Sequence, residues 1–304
     1  MNNSMKKRFI RDFGLPIVVF ESPYFEYFCD LYKNLFKVEE RFSYLQELID
    51  VKGGDDNALA FYGSLREQII AKVKELPEYK EYNNKDMNEL CKNNRKIKTK
   101  EVYQMPNAGK VFLSIDLKKA NYQAMKFHSQ ALTFNTNSYE ELITLFTDLQ
   151  YFKESKYFRQ VLFGNLNPKR QQSTQKHMMN NIVDVLLDSI PNITLDNFCN
   201  VSPDEVIIEY NDHGITLECD DNINLEQIAK EIPYHVHVDQ FKLETIEDRK
   251  FFVKKYHDGS YEFKCVPAQM FAQVYKKYHD LPLHEYDTLF YHEKQLARFM
   301  NPIF

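Results

Sequence analysis

Residues 111–116 read Val-Phe-Leu-Ser-Ile-Asp, a short apolar run that ends in a carboxylate. Runs of this length and composition are typical of a buried strand. The residues from Ala120 to Leu132 then carry apolar side chains at helical spacing. Before this stretch the pattern is helical, and further along the chain it shifts towards a period of two. Residues 111–132 therefore mark the transition from a helical region to a region that contains a sheet.

Most of residues 1–90 are expected to form helices. Helix-spaced apolar side chains begin after Pro23 and resume between Leu65 and Leu76. The stretch from Asn83 to Lys100 is polar and basic, and it is the best candidate for a linker.

Two helix starts are expected after residue 132. Ser138-x-x-Glu141 is a capping box that predicts a helix through Leu149. Asn167-Pro168 has the side chains preferred at the first positions of a helix, and the apolar spacing that follows predicts a long one.

The last hundred residues favour strands. Asp258-Gly259 predicts a tight hairpin turn. A helix from Pro267 to Tyr275 and a final helix near Glu293–Phe299 are also expected. The expected strands include Val201, Val206–Ile208, Ile215–Leu217, Val236–Leu243, Phe251–Tyr256 and Tyr261–Val266.

These patterns predict an α+β fold, with a mostly helical N-terminal region and a small antiparallel sheet against which helices pack. Three regions are expected. Residues 1–100 are helical with a basic linker at their end, residues 101–233 hold the candidate site, and residues 234–304 add a β-hairpin and helices packed on it.

Composition narrows the class of protein. The 304 residues are 43% hydrophobic and 27% charged, which is ordinary for a globular chain with its own core. The five cysteines are scattered and form no Cys-x-x-Cys unit, so reduced thiols and a cytoplasmic location are expected. No apolar run approaches the roughly 20 residues of a membrane span, so no membrane partner is expected.

Three acidic residues stand in distinctive places. Asp116 ends the apolar strand, while Asp204 and Glu205 lie in the short link of a probable hairpin. If the strands are neighbours, these carboxylates converge at one edge of the sheet. Such oxygen ligands suit Mg²⁺ or Mn²⁺ bound together with substrate phosphates. The ordinary alternative is that they are polar residues of turns and strand ends.

Two segments resemble motifs of nucleotide polymerases. Residues 114–122, Ser-Ile-Asp-Leu-Lys-Lys-Ala-Asn-Tyr, look like the first palm motif, in which an Asp ends a strand before a turn and helix. Residues 200–209, Asn-Val-Ser-Pro-Asp-Glu-Val-Ile-Ile-Glu, are similar to the third palm motif of family A DNA polymerases. That motif has His-Asp-Glu before an apolar strand, and Pro203 stands here in the place of the His.

This resemblance implies a palm-like sheet with Asp116 and Asp204 as metal ligands and Glu205 as an auxiliary acid. Asn121 stands where the family has a Glu that screens the sugar of the incoming nucleotide. The polar helix start of the family, which contacts the base pair, corresponds to Asn167, Lys169, Arg170 and Gln171.

The fingers of the family are not matched. Only 88 residues separate Asp116 from Asp204, too few for complete fingers. Lys153-x-x-Lys156-x-x-Arg159 is the nearest substitute, because on one helix this spacing places three cations on one face, where they would bind a triphosphate. A solvated helix face is the alternative interpretation.

The distribution of charge allows a polynucleotide partner. The net charge is −5, but residues 92–119 carry a local +6 and residues 153–177 a local +5. These two windows flank the motifs, and their lysines and arginines could support salt-sensitive binding to phosphates. A simple solvated linker remains the alternative for residues 92–100.

The resulting hypothesis is a compact nucleotidyltransferase that adds nucleotides to a primer 3′ hydroxyl by two-metal phosphoryl transfer. Its expected partners are a primer–template, with DNA favoured over RNA, a nucleoside triphosphate and a larger replication or repair assembly. A metal-dependent nuclease and a non-catalytic nucleic-acid-binding module with a degenerate palm are the alternatives. His235-x-His237 offers two imidazoles without a fitting third ligand, so surface histidines explain it better.

Overall fold

A computed structural model describes residues 1–190, 193–209, 225–247 and 250–304. The strand expected at Ile215–Leu217 lies outside these residues. The helices are α1 (Asn3–Phe13), α2 (Tyr24–Leu31), α3 (Val38–Lys52), α4 (Asp55–Glu75), α5 (Pro77–Asn84), α6 (Met87–Cys91), α7 (Ala120–His128), α8 (Tyr139–Thr144), α9 (Gln150–Glu154), α10 (Lys156–Gly164), α11 (Pro168–Ser189), α12 (Leu225–Glu231) and α13 (Phe271–Tyr278). The strands are β1 (Val111–Leu117), β2 (Phe198–Val201), β3 (Glu205–Glu209), β4 (Val236–Thr245), β5 (Phe252–Tyr256), β6 (Tyr261–Lys264), β7 (Leu289–His292) and β8 (Gln295–Arg298).

The chain forms two compact units that are interleaved in sequence. The first, called the helical unit here, consists of Met1–Glu75, Thr136–Leu166 and Val266–Phe304. The second, called the sheet unit, consists of Leu76–Asn135 and Asn167–Cys265. The three contiguous regions expected from the sequence, 1–100, 101–233 and 234–304, stay a prediction.

The helical unit has an aromatic core. Phe158 contacts both Tyr62 and Phe152, with ring centroids 5.0 and 4.9 Å apart. A fully buried carboxylate, Asp12, lies in this core and accepts hydrogen bonds from the hydroxyls of Tyr62 and Tyr151 at 3.1 and 2.5 Å. The plentiful Phe and Tyr residues thus serve the packing of this unit.

The sheet unit is built on six antiparallel strands in the order β2-β3-β1-β4-β5-β6. Its larger apolar core covers one face of the sheet. Leu113, Ile115 and Leu117 of β1 belong to this core, together with buried side chains of α11 and α12. Because side chains alternate along a strand, Phe112, Ser114 and Asp116 point to the opposite face.

The order of the first four strands defines the connectivity. β1 leads through α7 and α11 to the hairpin β2–β3, and α12 then leads to β4 on the other side of β1. This is the β-α-β-β-α-β arrangement of a split βαβ unit, extended at one edge by β5 and β6. The arrangement puts β1 between β3 and β4, in the centre of the unit.

Most expected elements are confirmed. The α+β class is correct, and β1, β3, β4, β5 and β6 lie within one or two residues of their expected bounds. The long helix α11 begins at Pro168 as expected. The Asp258-Gly259 turn is present, with Gly259 at φ 81°. The capping box at Ser138 opens a helix that ends at Thr144 instead of Leu149.

The expected final helix near Glu293–Phe299 is wrong. The chain forms a hairpin of β7 and β8 there, with Glu293 and Lys294 at φ 48° and 67°. Two consecutive residues at positive φ form the type of turn that matches the twist of a two-residue hairpin. Neither residue is glycine, so the sequence carries no common signal for this turn.

Within the part of the chain that the structure describes, no helix is both long and apolar enough to cross a membrane.

Candidate active site on the six-stranded sheet

Asp116 lies near the end of the central strand, where its side chain is exposed. Its cross-strand partners are Glu205 on β3 and His237 on β4. Directly opposed residues of antiparallel strands share a face, with Cα atoms roughly 4.5–5.5 Å apart. The strands therefore bring Glu205, Asp116 and His237 into one row across the sheet.

Asp204 belongs to the turn of the β2–β3 hairpin beside this row. Its carbonyl oxygen accepts a hydrogen bond from the Leu117 backbone N–H at 2.8 Å, which joins the turn to the end of β1. Ser202 Oγ lies 2.9 Å from Asp204 Oδ1 and accepts from the Glu205 N–H at 2.9 Å. These bonds fix the turn while the Asp204 side chain is exposed. The condition set for the three carboxylates, that their strands are neighbours, is thus met.

Glu205 is held by a buried cation. Its Oε1 lies 2.8 Å from Nζ of Lys254 on β5 and accepts a hydrogen bond from Ser114 Oγ at 2.7 Å. Burial raises the pKa of the Glu205 carboxyl, but the charge of Lys254 and these hydrogen bonds outweigh it and hold the pKa below its usual value. Lys254 and Ser114 therefore engage Glu205, and its role as the auxiliary acid that the resemblance implies stays a prediction.

Another acid on this face pairs with the histidine. Asp239 Oδ2 lies 2.7 Å from His237 Nε2. Burial raises the pKa of Asp239, and the neighbouring His237 partly offsets this effect. Among the residues described, no group of three or more His, Cys, Asp or Glu side chains has the geometry to hold a metal ion. A divalent cation here would depend on one or two carboxylates and on ligand oxygens.

Asn121, the predicted sugar contact, lies in the first turn of α7. Its side-chain oxygen accepts a hydrogen bond of 2.6 Å from Nε2 of Gln175, which is nearly fully buried on α11. Gln123 fixes the start of the same helix by donating to the carbonyls of Lys118 and His235 and accepting from the His235 N–H. Asn121 thus lies five residues after Asp116 on a firmly anchored helix start.

The predicted nucleic-acid contacts at the start of α11 are mostly engaged with α5. Asn167 Nδ2 donates to Asn83 Oδ1 at 2.8 Å, and Arg170 Nη1 donates to the Tyr82 carbonyl at 3.1 Å. Gln171 is buried, whereas Lys169 is exposed. Asn167 directly precedes α11, as expected. Its φ is 59° and its side chain accepts no hydrogen bond from the first turn, so the expected side-chain cap is not formed.

The predicted triphosphate contacts do not lie on one helix, so that expectation is wrong. Lys153 belongs to α9, and Lys156 and Arg159 belong to α10. Ser155 separates the two helices because it is extended (φ −67°, ψ 107°) and its hydroxyl caps α10 by accepting from the Phe158 N–H. All three cations belong to the helical unit. Their role in binding a triphosphate stays a prediction.

The stretch proposed as a linker packs along α11. Cys91 Sγ contacts the Ser173 carbonyl at 3.5 Å, and Arg95 donates to Asn180 and forms an ion pair of 2.6 Å with Asp184. Exposed lysines of residues 92–98 therefore lie alongside exposed lysines of α11. We call this set the basic strip. The basic strip consists of Lys92, Lys96, Lys98, Lys169 and Lys176.

The sequence analysis did not identify Lys254, Ser114 or the His237–Asp239 pair as neighbours of Asp116 and Glu205. The only local signal for Lys254 is its position in Phe-Val-Lys-Lys-Tyr, where alternation turns one of two adjacent lysines to the inner face. Its partner Glu205 is 49 residues earlier in the chain.

Comparison of the chain with protein-family models, with curated proteins and with solved structures finds no match.

Proposed function

We propose that this protein is a nucleotidyltransferase that extends a primer 3′ hydroxyl, with the sheet unit as a small polymerase-like palm. The observation that carries the proposal is the pairing of Asp116, near the end of the central strand, with the hairpin that presents Asp204. In the polymerase motifs that the two segments resemble, the acids occupy these same two kinds of position.

The topology adds to the support that the motifs give. The two short segments lie 88 residues apart in sequence, yet they occupy adjacent strands of a split βαβ unit. A chance resemblance of two short motifs would not require their acids to meet at one end of one sheet.

The donor set fits Mg²⁺ or Mn²⁺. Asp116 and Asp204 are both exposed carboxylates, and Mg²⁺ is usually bound by one or two carboxylates together with substrate phosphates and water. When bound, the cation would neutralise charge on the transferred phosphate. Asp116 and Asp204 would hold it, while Glu205 is already engaged by Lys254 and Ser114.

Other residues of the sheet unit would position the substrates. Asn121 is anchored at the start of α7 by Gln175, five residues after Asp116, and is the proposed contact for the sugar or base of an incoming nucleotide. The basic strip would bind the phosphate backbone of the nucleic acid through its exposed ammonium groups. Lys153, Lys156 and Arg159 belong to the helical unit, and their contact with a triphosphate is a separate proposal.

A labelled primer–template incubated with Mg²⁺ or Mn²⁺ and each nucleotide pool in turn tests this function. We expect extension by the wild-type chain and its loss in Asp116→Asn. Asp196→Asn is the matched control, because Asp196 is also an exposed aspartate of the sheet unit. Full extension by Asp116→Asn would contradict the proposal.

A non-catalytic nucleic-acid-binding module is the second candidate. It is favoured by the engagement of Glu205, which leaves two carboxylates for metal at this end of the sheet. Nucleic-acid binding without extension in any nucleotide pool would support this candidate. Metal-dependent degradation of the primer without added nucleotide would instead indicate a nuclease.

A further inference from the structure

The ammonium of Lys254 is almost entirely removed from solvent. Its side chain is 3% exposed, its Nζ lies 2.8 Å from Glu205 Oε1, and it lies 4.5 Å from the centre of the Phe241 ring. Ser114 donates to the same carboxylate oxygen. A buried cation needs such partners because the loss of hydration is costly.

Lys254 comes from a strand outside the split βαβ unit. Lys254 belongs to β5, one of the two strands added at the edge of the split βαβ unit. Glu205 follows Asp204 directly in the chain and lies opposite Asp116 in the β1–β3 register. The added strand therefore supplies a positive charge to the one acid that stands between the two proposed metal ligands.

The number of carboxylates available to a cation determines how tightly it binds without substrate. Three carboxylates, Asp116, Asp204 and Glu205, belong to this strand end, but among the described residues no three such groups are arranged to hold a metal ion as they stand. A released Glu205 would add an oxygen ligand and a negative charge and would strengthen cation binding without any substrate. Lys254 neutralises one of the three and occupies an oxygen that a cation would otherwise bind. Two carboxylates then bind the cation weakly until phosphate oxygens complete its ligands.

We propose that Lys254 is a positioning residue that withholds Glu205 from the metal site, so that a divalent cation binds tightly only together with a phosphate-bearing substrate. This inference rests on the proposed function for the identity of the metal ligands. It adds a role for a residue that neither polymerase-like motif contains.

Binding of Mn²⁺ alone to the full-length chain, measured without nucleotide by calorimetry and by the spin-resonance signal of free Mn²⁺, tests the inference. We expect Lys254→Met to bind Mn²⁺ about tenfold more tightly than the wild type, since Glu205 becomes available. Lys254→Met/Glu205→Gln should return to wild-type affinity. Lys254→Arg keeps the charge and should also bind as the wild type does.

Unchanged Mn²⁺ affinity in folded Lys254→Met would overturn the inference, and so would a gain that persists in the double variant. If Lys254→Met does not fold, Lys254→Gln is measured instead, because its amide can still donate to Glu205 without supplying a charge. A gain of affinity in Lys254→Gln supports the inference, and its absence overturns it.

Failure of this inference is distinguishable from failure of the proposed function. Primer extension by the wild type without a gain of Mn²⁺ affinity in the lysine variants rejects only the role of Lys254. The gain of affinity without any primer extension would leave the control of Glu205 intact and reject nucleotidyl transfer.

Discussion

The two faces of strand β1 carry opposite chemistry. Leu113, Ile115 and Leu117 enter the apolar core beneath α11 and α12, whereas Ser114 and Asp116 lie on the other face. Both sets come from seven consecutive residues. The residues of one face pack in the core. The acids on the other face are not needed for that packing.

The polar face is itself divided. Phe112 stacks on Phe241, with ring centroids 5.4 Å apart, and belongs to a second apolar cluster. Asp116 and Glu205 lie at the other end of the strand, where β1 adjoins the hairpin turn at Asp204. Glu209, opposite Phe112, is also buried on this face and is paired with Lys110, because burial of a charge is costly without a partner.

Substitution of Asp116 should have the largest effect. Asp116→Asn keeps the shape of the side chain and its exposed position but removes a charge from the proposed metal site. We expect primer extension to fall by about a thousandfold, which corresponds to about 4 kcal/mol at the transition state. The midpoint of urea unfolding should be almost unchanged. A large loss of stability with unchanged extension would show that the polar face is structural.

The neighbouring residue on the other face should behave in the opposite way. Ile115 is fully buried in the apolar core, so Ile115→Ala leaves a cavity and should cost about 3 kcal/mol of unfolding free energy. Urea unfolding measures this loss. At low denaturant the protein that remains folded should extend the primer at nearly the wild-type rate. A loss of activity larger than the loss of folded protein would mean that the core face also affects the reaction.

Asp12 of the helical unit offers a contrast with Glu205. Asp12 is fully buried, whereas the Glu205 side chain is 25% exposed. Asp12 is bonded to tyrosine hydroxyls, and burial raises its pKa to about 6 despite those bonds and the charges of Arg8 and Arg11. The protonated form stabilises the fold fully below pH 3.8, and this stabilisation is lost as the pH rises through about 6.

Asp12→Asn should therefore raise the unfolding free energy at pH 8, by up to about 3 kcal/mol from a pKa shift of roughly two units. Its stability should change less between pH 4 and pH 7 than that of the wild type. Thermal unfolding across this pH range measures both effects. Asp148→Asn, at an exposed position of the same unit, is the control and should follow the wild-type profile. If Asp12→Asn showed the same dependence of stability on pH as the wild type, the raised pKa of Asp12 would not be the cause of that dependence.

The basic strip should give the smallest effect, because each exposed lysine contributes little alone. Replacing Lys92, Lys96 and Lys98 with Gln should weaken binding to duplex DNA about tenfold. The slope of log affinity against log salt should become shallower by about 2 to 3. Fluorescence anisotropy at several salt concentrations measures both quantities.

The control for this variant changes the same number of charges elsewhere. Lys33, Lys72 and Lys74 are exposed lysines of the helical unit, and their replacement with Gln should leave the salt slope much closer to that of the wild type. Equal changes of slope in the two triple variants would mean that binding follows net charge rather than the basic strip.

Local patterns predicted the parts of the site that depend on neighbouring residues. The run from Val111 to Asp116 indicated a buried strand with an acid at its end, and Pro203-Asp204-Glu205 indicated the adjoining turn. Both conclusions use alternation and turn chemistry, which extend over only a few residues. The meeting of the two strands then follows from the split βαβ connectivity.

Contacts between distant residues could not be predicted in this way. Lys254 and Glu205 form their ion pair across 49 residues, and no periodicity links them. Ser155 interrupts a helix by a single hydroxyl cap, which a spacing rule for Lys153, Lys156 and Arg159 ignores. The turn at Glu293 and Lys294 uses residues without a strong preference for positive φ.

Primer extension by the wild type, Asp116→Asn, Asp204→Asn and the double variant tests the central claim most directly. If the two aspartates act as one site, each single variant should lose about a thousandfold, and the double variant should lose little more, because residues that act as a unit are not additive. Extension by either single variant at the wild-type rate, or no extension by the wild type with any nucleotide pool, would contradict the account.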